Sequence, residues 1–292
     1  GDFPPSSSTA GTWLAAAACV TMTPTSGEPV NESRSMPGCP ASAAPALDIL
    51  YRDDRLAAVH KPAGMLVHPS RIDRSGGETA LAAARAALGQ PVYTVHRLDR
   101  PTSGVLLLAL DTGTARLLGP LFAGGAVTKV YLAVVRGWTD EAGIIDYPLL
   151  EVPDPTTDAL ADADKPAQAA VTAWRRLATA ELPWPVGRHA TARYSLLEVQ
   201  PRTGRRHQIR RHLKHAFHPV VGDTTHGDGH HNRCFRERLL CDRLLLHAWR
   251  LAFAHPHTGV ELAITAPPDS ALRRVFGQLG WGAIRAGARE RT

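Results

Sequence analysis

The sequence predicts an α+β domain built on a mixed or mainly antiparallel sheet. Segments with strand patterns and segments with helix patterns alternate irregularly along the chain, which is typical of this class. The first two apolar runs, Leu47–Tyr51 and Leu56–His60, flank a short Arg-Asp-Asp turn, as the strands of a β-hairpin do. The 292 residues are enough for one large or two smaller domains with an ample core.

Beyond the hairpin, the elements are predicted from hydrophobic periodicity and from the glycines that punctuate it. Glu78–Leu88 is rich in alanine and is predicted to be a helix that ends at Gly89. The wholly apolar run Val105–Leu110 has the length of a buried strand. The remaining predicted elements are a helix over Thr112–Phe122, strands over Val127–Val135, Ala167–Leu177 and Arg193–Val199, a helix over His207–Ala216, strands over Leu244–Phe253 and Val260–Thr265, and a closing helix over Ser270–Leu279 that stops at Gly280.

Both ends of the chain are predicted to be tails. Residues 1–45 are rich in Ala, Ser, Thr, Pro and Gly and carry little charge, which indicates a disordered tail or an extension ahead of a true start at Met22 or Met36. Residues 286–292 are predicted to form a short C-terminal tail. One folded domain is therefore expected over residues 46–285.

The most informative segment is His96–Gly104, which holds Asp99 between two arginines. The Pro, Thr, Ser and Gly that follow Asp99 predict a tight loop leading into the apolar strand. A carboxylate at a rigid strand end, with cations that favour its ionised form, is suited to act as an anionic nucleophile. From local chemistry alone, an aspartate that forms a surface ion pair in a turn is an equally open alternative.

A second dense motif runs from Arg202 to His215, with five Arg, one Lys, three His and no acidic residue. Ile209 and Leu213 are four residues apart and share the predicted buried face of this helix. The helix start exposes backbone N–H groups that suit a phosphate, and the arginines add a positive footprint for nucleic acid. A solvated basic helix is the alternative, but such helices usually alternate the sign of their charges.

Composition is compatible with a polyanionic partner. The net charge is +6 and the isoelectric point is about 9.5, whereas the segment from Trp138 to Asp164 has eight acidic residues and no Lys or Arg. We expect that acidic segment to face away from a nucleic acid. No apolar run is long enough to span a membrane, and the patch Trp13–Val20 lacks the preceding positive charges of a signal peptide, so a cytoplasmic location is expected.

Metal and disulfide chemistry have little support. None of the four cysteines, Cys19, Cys39, Cys234 and Cys241, is part of a Cys-x-x-Cys pair, which indicates a reducing compartment. The segment His226–His231 contains three His and one Asp, but its Gly-rich sequence does not predict the helix that would present an i, i+4 pair of ligands. We expect it to be a structural or RNA-facing loop that binds no metal.

These motifs resemble the pseudouridine synthases of the RluA family, from about Leu47 to about Trp281. The His-Arg-Leu-Asp and Thr-Ser-Gly sequences within His96–Gly104 are highly specific for that family. The Arg100-Pro101 and Arg210-Arg211-His212 sequences are more similar to the members that act on uridine 65 of certain tRNAs than to those that act on ribosomal RNA. The other matching segments are Leu47–Tyr51, Lys61–His68, Lys129–Tyr131, Val135–Trp138, Asp146–Leu149, Thr203–His212, His218–Asp223, His226–Asp228 and Leu246–Ala248.

The resemblance implies the pseudouridine synthase fold, a long central sheet with flanking helices and an active-site cleft across it. It also implies that residues 46–285 form the catalytic domain and that uridine is isomerised to pseudouridine. That reaction has no redox change and no external group, so it needs no cofactor. The expected partner is RNA, in particular tRNA, and the protein is expected to be a monomer that does not bind membranes.

The resemblance assigns roles to four residues of this chain. Asp99 is the implied nucleophile, with attack at the anomeric carbon and attack at C6 both open. Arg210 is implied to form an ion pair with it, because a buried carboxylate takes up a proton unless a cation offsets its desolvation. Arg97 matches the arginine that fills the space left by the flipped nucleotide. Tyr131 matches the tyrosine that packs on the uracil ring, with a further role in removing the C5 proton.

Other basic residues are expected to bind the RNA backbone. They are Arg100, Arg202, Arg205, Arg206, His207, Arg211 and Lys214.

Three alternatives to a tRNA synthase remain open at this stage. The first is a synthase of the same family that acts on ribosomal RNA, and the second is an RNA-binding protein without catalysis. The third, a glycosidase with a carboxylate nucleophile, needs a second catalytic carboxylate, and only one carboxylate stands among the motifs.

Overall fold

The structure is a computed structural model that describes residues 47–69, 78–151 and 166–282. The predicted tails over 1–45 and 286–292 lie outside these residues. The described strands are β1 (Ile49–Arg52), β2 (Leu56–Lys61), β3 (Tyr93–Thr94), β4 (Ser103–Ala109), β5 (Thr128–Arg136), β6 (Ala142–Asp146), β7 (Val171–Leu182), β8 (Ala192–Pro201), β9 (Leu246–Ala254) and β10 (Glu261–Thr265). The helices are α1 (Ala80–Leu88), α2 (Thr112–Ala123), α3 (Gln208–His215), α4 (Gly229–Leu239) and α5 (Ser270–Gln278).

The strands form one sheet, which confirms the predicted fold class. Its order is β1-β2-β4-β9-β5-β8-β7-β6, with β10 paired to β9 and β3 paired to β4. The pairing of β4 with β9 is parallel and the other pairings are antiparallel, so the sheet is mixed but mainly antiparallel. The predicted hairpin is present as β1 and β2.

Local sequence signals account for the helix ends. Thr79 caps α1 by accepting a hydrogen bond from the Ala82 N–H, and Gly89 ends the helix in the left-handed conformation. Asp111 caps α2 in the same way through the Thr114 N–H. Each cap satisfies a backbone N–H that has no partner within its own helix.

Helices pack on both faces of the sheet. On β5, Ala133 and Val135 point to the face that α3 covers with Ile209 and Leu213. The intervening residues of β5 point to the opposite face, against the cluster to which α4 and α5 contribute. This alternation is the period of a β-strand, so the two faces of one strand serve different helices.

Three parts of the structure differ from the sequence prediction. The acidic segment, for which no strand was predicted, contains β6, which pairs with β7 at one edge of the sheet. The strand predicted over Ala167–Leu177 begins at Val171 and continues to Leu182. The segment His226–His231 is only partly a loop, because α4 begins at Gly229. The Asp228 carboxylate caps α4 by accepting hydrogen bonds from the first N–H groups of the helix. This cap explains why a Gly-rich segment becomes helical.

Candidate active site

Asp99 lies in a turn immediately before β4, as predicted. The Thr102 N–H donates to the Asp99 carbonyl oxygen at 3.0 Å and closes this turn. Gly104, at the start of β4, has φ +119° and lies so close to β9 that a Cβ atom would overlap the Ala248 carbonyl oxygen. A residue with a side chain would therefore push β4 away from β9, and the glycine fixes where the turn sits.

Lys61, which sequence reasoning did not assign to the site, holds the Asp99 turn through a hydrogen bond to the Arg100 carbonyl. It is fully buried, and its Nζ donates to the carbonyl oxygens of Met65, Pro62 and Arg100 at 2.7, 2.9 and 3.1 Å. The bond to Arg100 ties the end of β2 to the residue after Asp99, and the other two hold the loop that follows β2. Burial lowers the pKa of Lys61 to about 7, with a further lowering by Arg243. A lysine that closes an otherwise apolar strand was the available sequence signal.

The carboxylate of Asp99 faces Arg210, and the predicted ion pair is present. Arg210 Nη1 donates to Asp99 Oδ2 at 2.9 Å. The Arg210 side chain is only 4% exposed, whereas that of Asp99 is 24% exposed. The cation is therefore buried in the protein, and the carboxylate reaches the surface of the site.

A second carboxylate, Asp223, holds Arg210 from the other side. Arg210 Nε and Nη2 donate to its two oxygens at 2.7 and 2.8 Å, a bidentate pair with a fully buried carboxylate. Burial alone would raise the pKa of Asp223. The hydrogen bonds from Arg210 and from the His226 and Thr225 N–H groups outweigh burial and hold the pKa below its usual range. Sequence reasoning missed Asp223, although it stands in the matched segment His218–Asp223.

Sheet pairing brings Tyr131 close to this cluster. Gly104 on β4 pairs with Ala248 on β9, and Ala248 pairs with Tyr131 on β5, so the three lie in one row across the sheet. A register shift between Val130 and Tyr131 accompanies this pairing, and such bulges redirect a side chain. Burial raises the pKa of Tyr131, and the nearby charge of Asp99 raises it further, so the phenol is protonated at neutral pH.

His207 precedes α3 and lies beside both Asp99 and His226. Its backbone is left-handed, with φ 52°. Its Nε2 is 3.8 Å from Asp99 Oδ2, and its Nδ1 shares a hydrogen bond of 3.1 Å with His226 Nε2. Burial lowers the pKa of His207 to about 4 even though Asp99 raises it. The imidazole is therefore neutral at pH 7.

A cavity of about 510 Å³ opens above the cluster, which is within the usual size of a ligand site. Its wall comes from the loop after β2, the Asp99 turn, the start of α3 and the residues after Asp223. Six of the lining residues carry its chemistry: Arg97, Asp99, Arg100, Arg206, His207 and Arg210. Tyr131 does not line the cavity in this structure.

The residues expected to bind the RNA backbone differ in their exposure. Arg97, Arg100, Arg202, Arg205 and Lys214 are exposed, and Arg206 and Arg211 are half-buried. Arg205 Nε donates to the Ala169 carbonyl at 3.1 Å, and Arg211 Nη1 donates to the Leu150 carbonyl at 2.8 Å. The backbone thus orients two of these guanidinium groups.

The acidic segment is not wholly remote from the basic helix. Tyr147, one residue beyond β6, accepts a hydrogen bond from His212 Nε2 at its carbonyl. Its ring stacks on that of His215 with centroids 3.9 Å apart. The segment begins at the sheet edge but returns to α3, so the expected separation of acidic and basic regions is incomplete.

The cluster of histidines before and within α4 serves packing and capping. Asp228 pairs with Arg136 at 2.6 Å while it caps α4, and His231 Nδ1 shares a hydrogen bond with Tyr194 Oη at 2.9 Å. Within the described residues, no group of three or more His, Cys, Asp or Glu is placed to hold a metal ion. In that same part of the chain, no helix combines the length and apolar character needed to cross a membrane.

Comparison with known proteins points to one family. The model of a family described as RNA pseudouridylate synthase matches residues 55–215. A tRNA pseudouridine synthase C from Vibrio cholerae is 52% identical over 235 residues, which are 80% of this chain and 96% of that protein. A protein of the same name from Haemophilus ducreyi is 50% identical, with the same coverage of both chains.

Two solved human structures are similar in fold. Human RNA Pseudouridylate Synthase Domain Containing 4 superposes with a TM-score of 0.60 at 25% identity, over 80% of this chain and 93% of that chain. Human RNA Pseudouridylate Synthase Domain Containing 1 gives 0.59 at 25% identity, over 79% and 86%. The residues that the family model matches include Asp99, Tyr131 and Arg210.

Proposed function

We propose that this chain isomerises a uridine of tRNA to pseudouridine, because the chain belongs to the RNA pseudouridylate synthase family. The substrate class is supported by relatives about half identical to this chain that are named tRNA pseudouridine synthase C. We propose uridine 65 as the modified position, because the Arg100-Pro101 and Arg210-Arg211-His212 sequences are similar to those of the members that act there. We further propose that residues 46–285 are the catalytic domain and that a cytoplasmic monomer acts without a cofactor.

The observation that carries the proposed chemistry is the Asp99–Arg210 pair at the cavity. In the reaction, the N1–C1′ bond breaks, a C5–C1′ bond forms, the C5 proton leaves and N1 takes up a proton. Asp99 is the nucleophile that separates the base from its original bond, by attack at C1′ or at C6. Arg210 places a fixed positive charge beside this carboxylate, and its Nε and Nη2 nitrogens donate to Asp223.

The base reaches Asp99 by leaving its stack and entering the cavity. Arg97 lines the cavity mouth, and we assign it to the space that the nucleotide vacates. Tyr131 packs on the uracil once the base is bound. The phenol of Tyr131 is protonated at neutral pH, so it takes the C5 proton only as it passes its own proton on. Asp99, once the bond between it and the substrate has broken, is the nearby carboxylate that accepts this proton.

Tritium release from C5 of labelled uridine tests this function. Wild type is incubated separately with unmodified tRNA and with ribosomal RNA, and the modified position is then mapped. We expect release from tRNA, loss of release with Asp99→Asn at unchanged RNA affinity, and at least 100-fold slower release with Tyr131→Phe. Release from ribosomal RNA alone would replace the proposed substrate, and turnover by Asp99→Asn would refute the proposed nucleophile.

A further inference from the structure

Phe217, just beyond α3, is in a conformation and an environment that a phenylalanine rarely occupies. Its φ is 62°, and its side chain is 79% exposed. The Phe217 N–H bonds to the Lys214 carbonyl and the His218 N–H to the Leu213 carbonyl, at 3.0 and 2.9 Å. This pattern ends many helices, and glycine is the usual residue at the left-handed position because other residues are strained there. An exposed ring gains little from burial, so folding does not explain the phenylalanine.

The surroundings of Phe217 are cationic and aromatic. Lys214 and His215 are exposed in the last turn of α3, and the Tyr147 ring that stacks on His215 is itself 44% exposed. From Arg202 to Phe217 the chain has no acidic residue, and Asp146 at the end of β6 is the acidic neighbour of Tyr147. Exposed aromatic rings among basic side chains are the means by which proteins hold nucleic-acid bases without reading their sequence.

The same helix joins this surface to the active site. α3 begins beside the cavity, contributes Arg210 to the ion pair with Asp99, and ends at His215. Eight residues of α-helix are about 12 Å long. The helix packs on the sheet face that also carries Tyr131, so an RNA with one base in the cavity extends naturally along this face.

We propose that Phe217, with Lys214 and the stacked Tyr147–His215 pair, forms a second contact surface for the substrate RNA. Phe217 stacks on a base of the same tRNA, several nucleotides away from the one that enters the cavity. The surface extends the proposed function and rests on it. It contributes to affinity and to the choice of substrate, and it takes no part in the bond changes at Asp99.

Leu240 provides a matched control on the other side of the sheet. It is also 79% exposed, has φ 49°, and lies at the end of α4. Its carbonyl accepts a hydrogen bond from Arg274 Nη2 at 3.0 Å, just as that of Phe217 accepts one from Arg136 Nη2 at 3.1 Å. α4 packs through Phe235 and Leu239 on the face of the sheet opposite α3. The two residues therefore differ mainly in the face on which they lie.

The experiment compares Phe217→Gly, Leu240→Gly and Phe217→Trp. Affinity for fluorescent tRNA transcripts and ribosomal RNA fragments is measured with each change placed in the Asp99→Asn protein. The constants kcat and KM are measured with each change placed in the protein that retains Asp99. We expect Phe217→Gly to weaken tRNA binding and raise KM about tenfold at nearly constant kcat. Leu240→Gly should leave both values unchanged, and Phe217→Trp should bind like the parent. Both glycine variants should melt at the same temperature as the parent or about 2 °C higher, since glycine relieves the strain.

An unchanged tRNA affinity of Phe217→Gly, or an equal loss in Leu240→Gly, would overturn the second contact surface. If Phe217→Gly melts lower than the parent, Phe217→Asn replaces it, because asparagine tolerates the left-handed conformation. Turnover of tRNA by the wild type separates this result from the proposed function. If only ribosomal RNA is turned over, the substrate proposal fails and the surface is judged on the ribosomal RNA affinities.

Discussion

Arg210 and Lys214 are one helical turn apart on α3, yet the fold uses their charges in opposite ways. Arg210 is buried, and three of its guanidinium nitrogens donate to carboxylates, one to Asp99 and two to Asp223. Lys214 is exposed in the last turn of the helix. The position of a cation relative to the core thus decides whether it serves chemistry or binding. A buried charge needs fixed partners, whereas an exposed one can exchange water and counterions for phosphate.

The buried cluster also shares one cation between two anions. Arg210 is bidentate to Asp223 and makes one bond to Asp99, so the cluster has a formal charge of −1 when both carboxylates are ionised. Asp223 is wholly buried and Asp99 is not. Asp223 thus holds the guanidinium in place, and Asp99 is a partly exposed carboxylate that shares this cation, which is suited to a nucleophile.

The same substitution at the two positions should separate the two uses most strongly. Arg210→Met leaves Asp223 buried without its cation, and we expect the unfolding free energy to fall by about 3–5 kcal/mol. Turnover should fall at least 100-fold, because Asp99 loses its partner. Thermal melting and tritium release measure the two effects. A variant that melts like the wild type would show that Asp223 does not depend on Arg210.

Asp223→Asn should have the next largest effect, about tenfold in kcat with little change in KM. The amide keeps the size of the side chain, but Arg210 then has only Asp99 as an anionic partner and holds it more tightly. Tritium release at several tRNA concentrations measures both constants. An unchanged kcat would show that Asp223 does not position Arg210 for the reaction.

The same variant has a stability signature that depends on pH. Because the folded protein holds the pKa of Asp223 below its usual range, the carboxylate stabilises the fold above about pH 4, the ordinary aspartate value, and this contribution is lost as the pH falls through the folded-state pKa. The difference in melting temperature between wild type and Asp223→Asn should therefore shrink below about pH 4. A difference that stays constant down to pH 3 would contradict the lowered pKa.

Lys214→Met is the exposed counterpart and should have a small effect. We expect RNA affinity to fall about threefold at moderate salt, and the slope of log affinity against log salt to decrease by about 0.7–0.9, the value for one phosphate contact. The slope is measured by titrating tRNA at several salt concentrations. An unchanged slope would remove Lys214 from the RNA interface.

His207→Asn should have the smallest effect on the electrostatics of binding. Burial keeps the pKa of His207 at about 4, so it is neutral where RNA is bound, and asparagine tolerates its left-handed backbone. We expect the salt slope to be the same as in the wild type between pH 6 and 8. A slope that decreases by a full contact would mean that RNA restores the charge of this imidazole.

Much of the fold follows from local patterns in the chain. The hairpin, the Ala-rich helix ended by Gly89, the apolar strand β4 and the basic helix were all predicted within a few residues of their bounds. The strand β6 was missed because it is only five residues long, contains a glycine, and has its partner, β7, distant in sequence. The start of α4 was missed because glycines and histidines give no periodicity, and the signal was the Asp228 cap.

The sequence by itself determined which groups are available for chemistry. The Asp99 turn, the basic helix and the family motifs are local arrangements, because turns and helices depend on residues only a few positions apart. Tertiary structure alone decided how these groups are partnered. Arg210 is 111 residues from Asp99 in the chain, and Lys61 is 39 residues from the carbonyl that it holds. Packing buries His207, which lowers the pKa of its imidazole, and packing leaves Phe217 exposed. Burial depends on the whole fold, so no single stretch of sequence determines it.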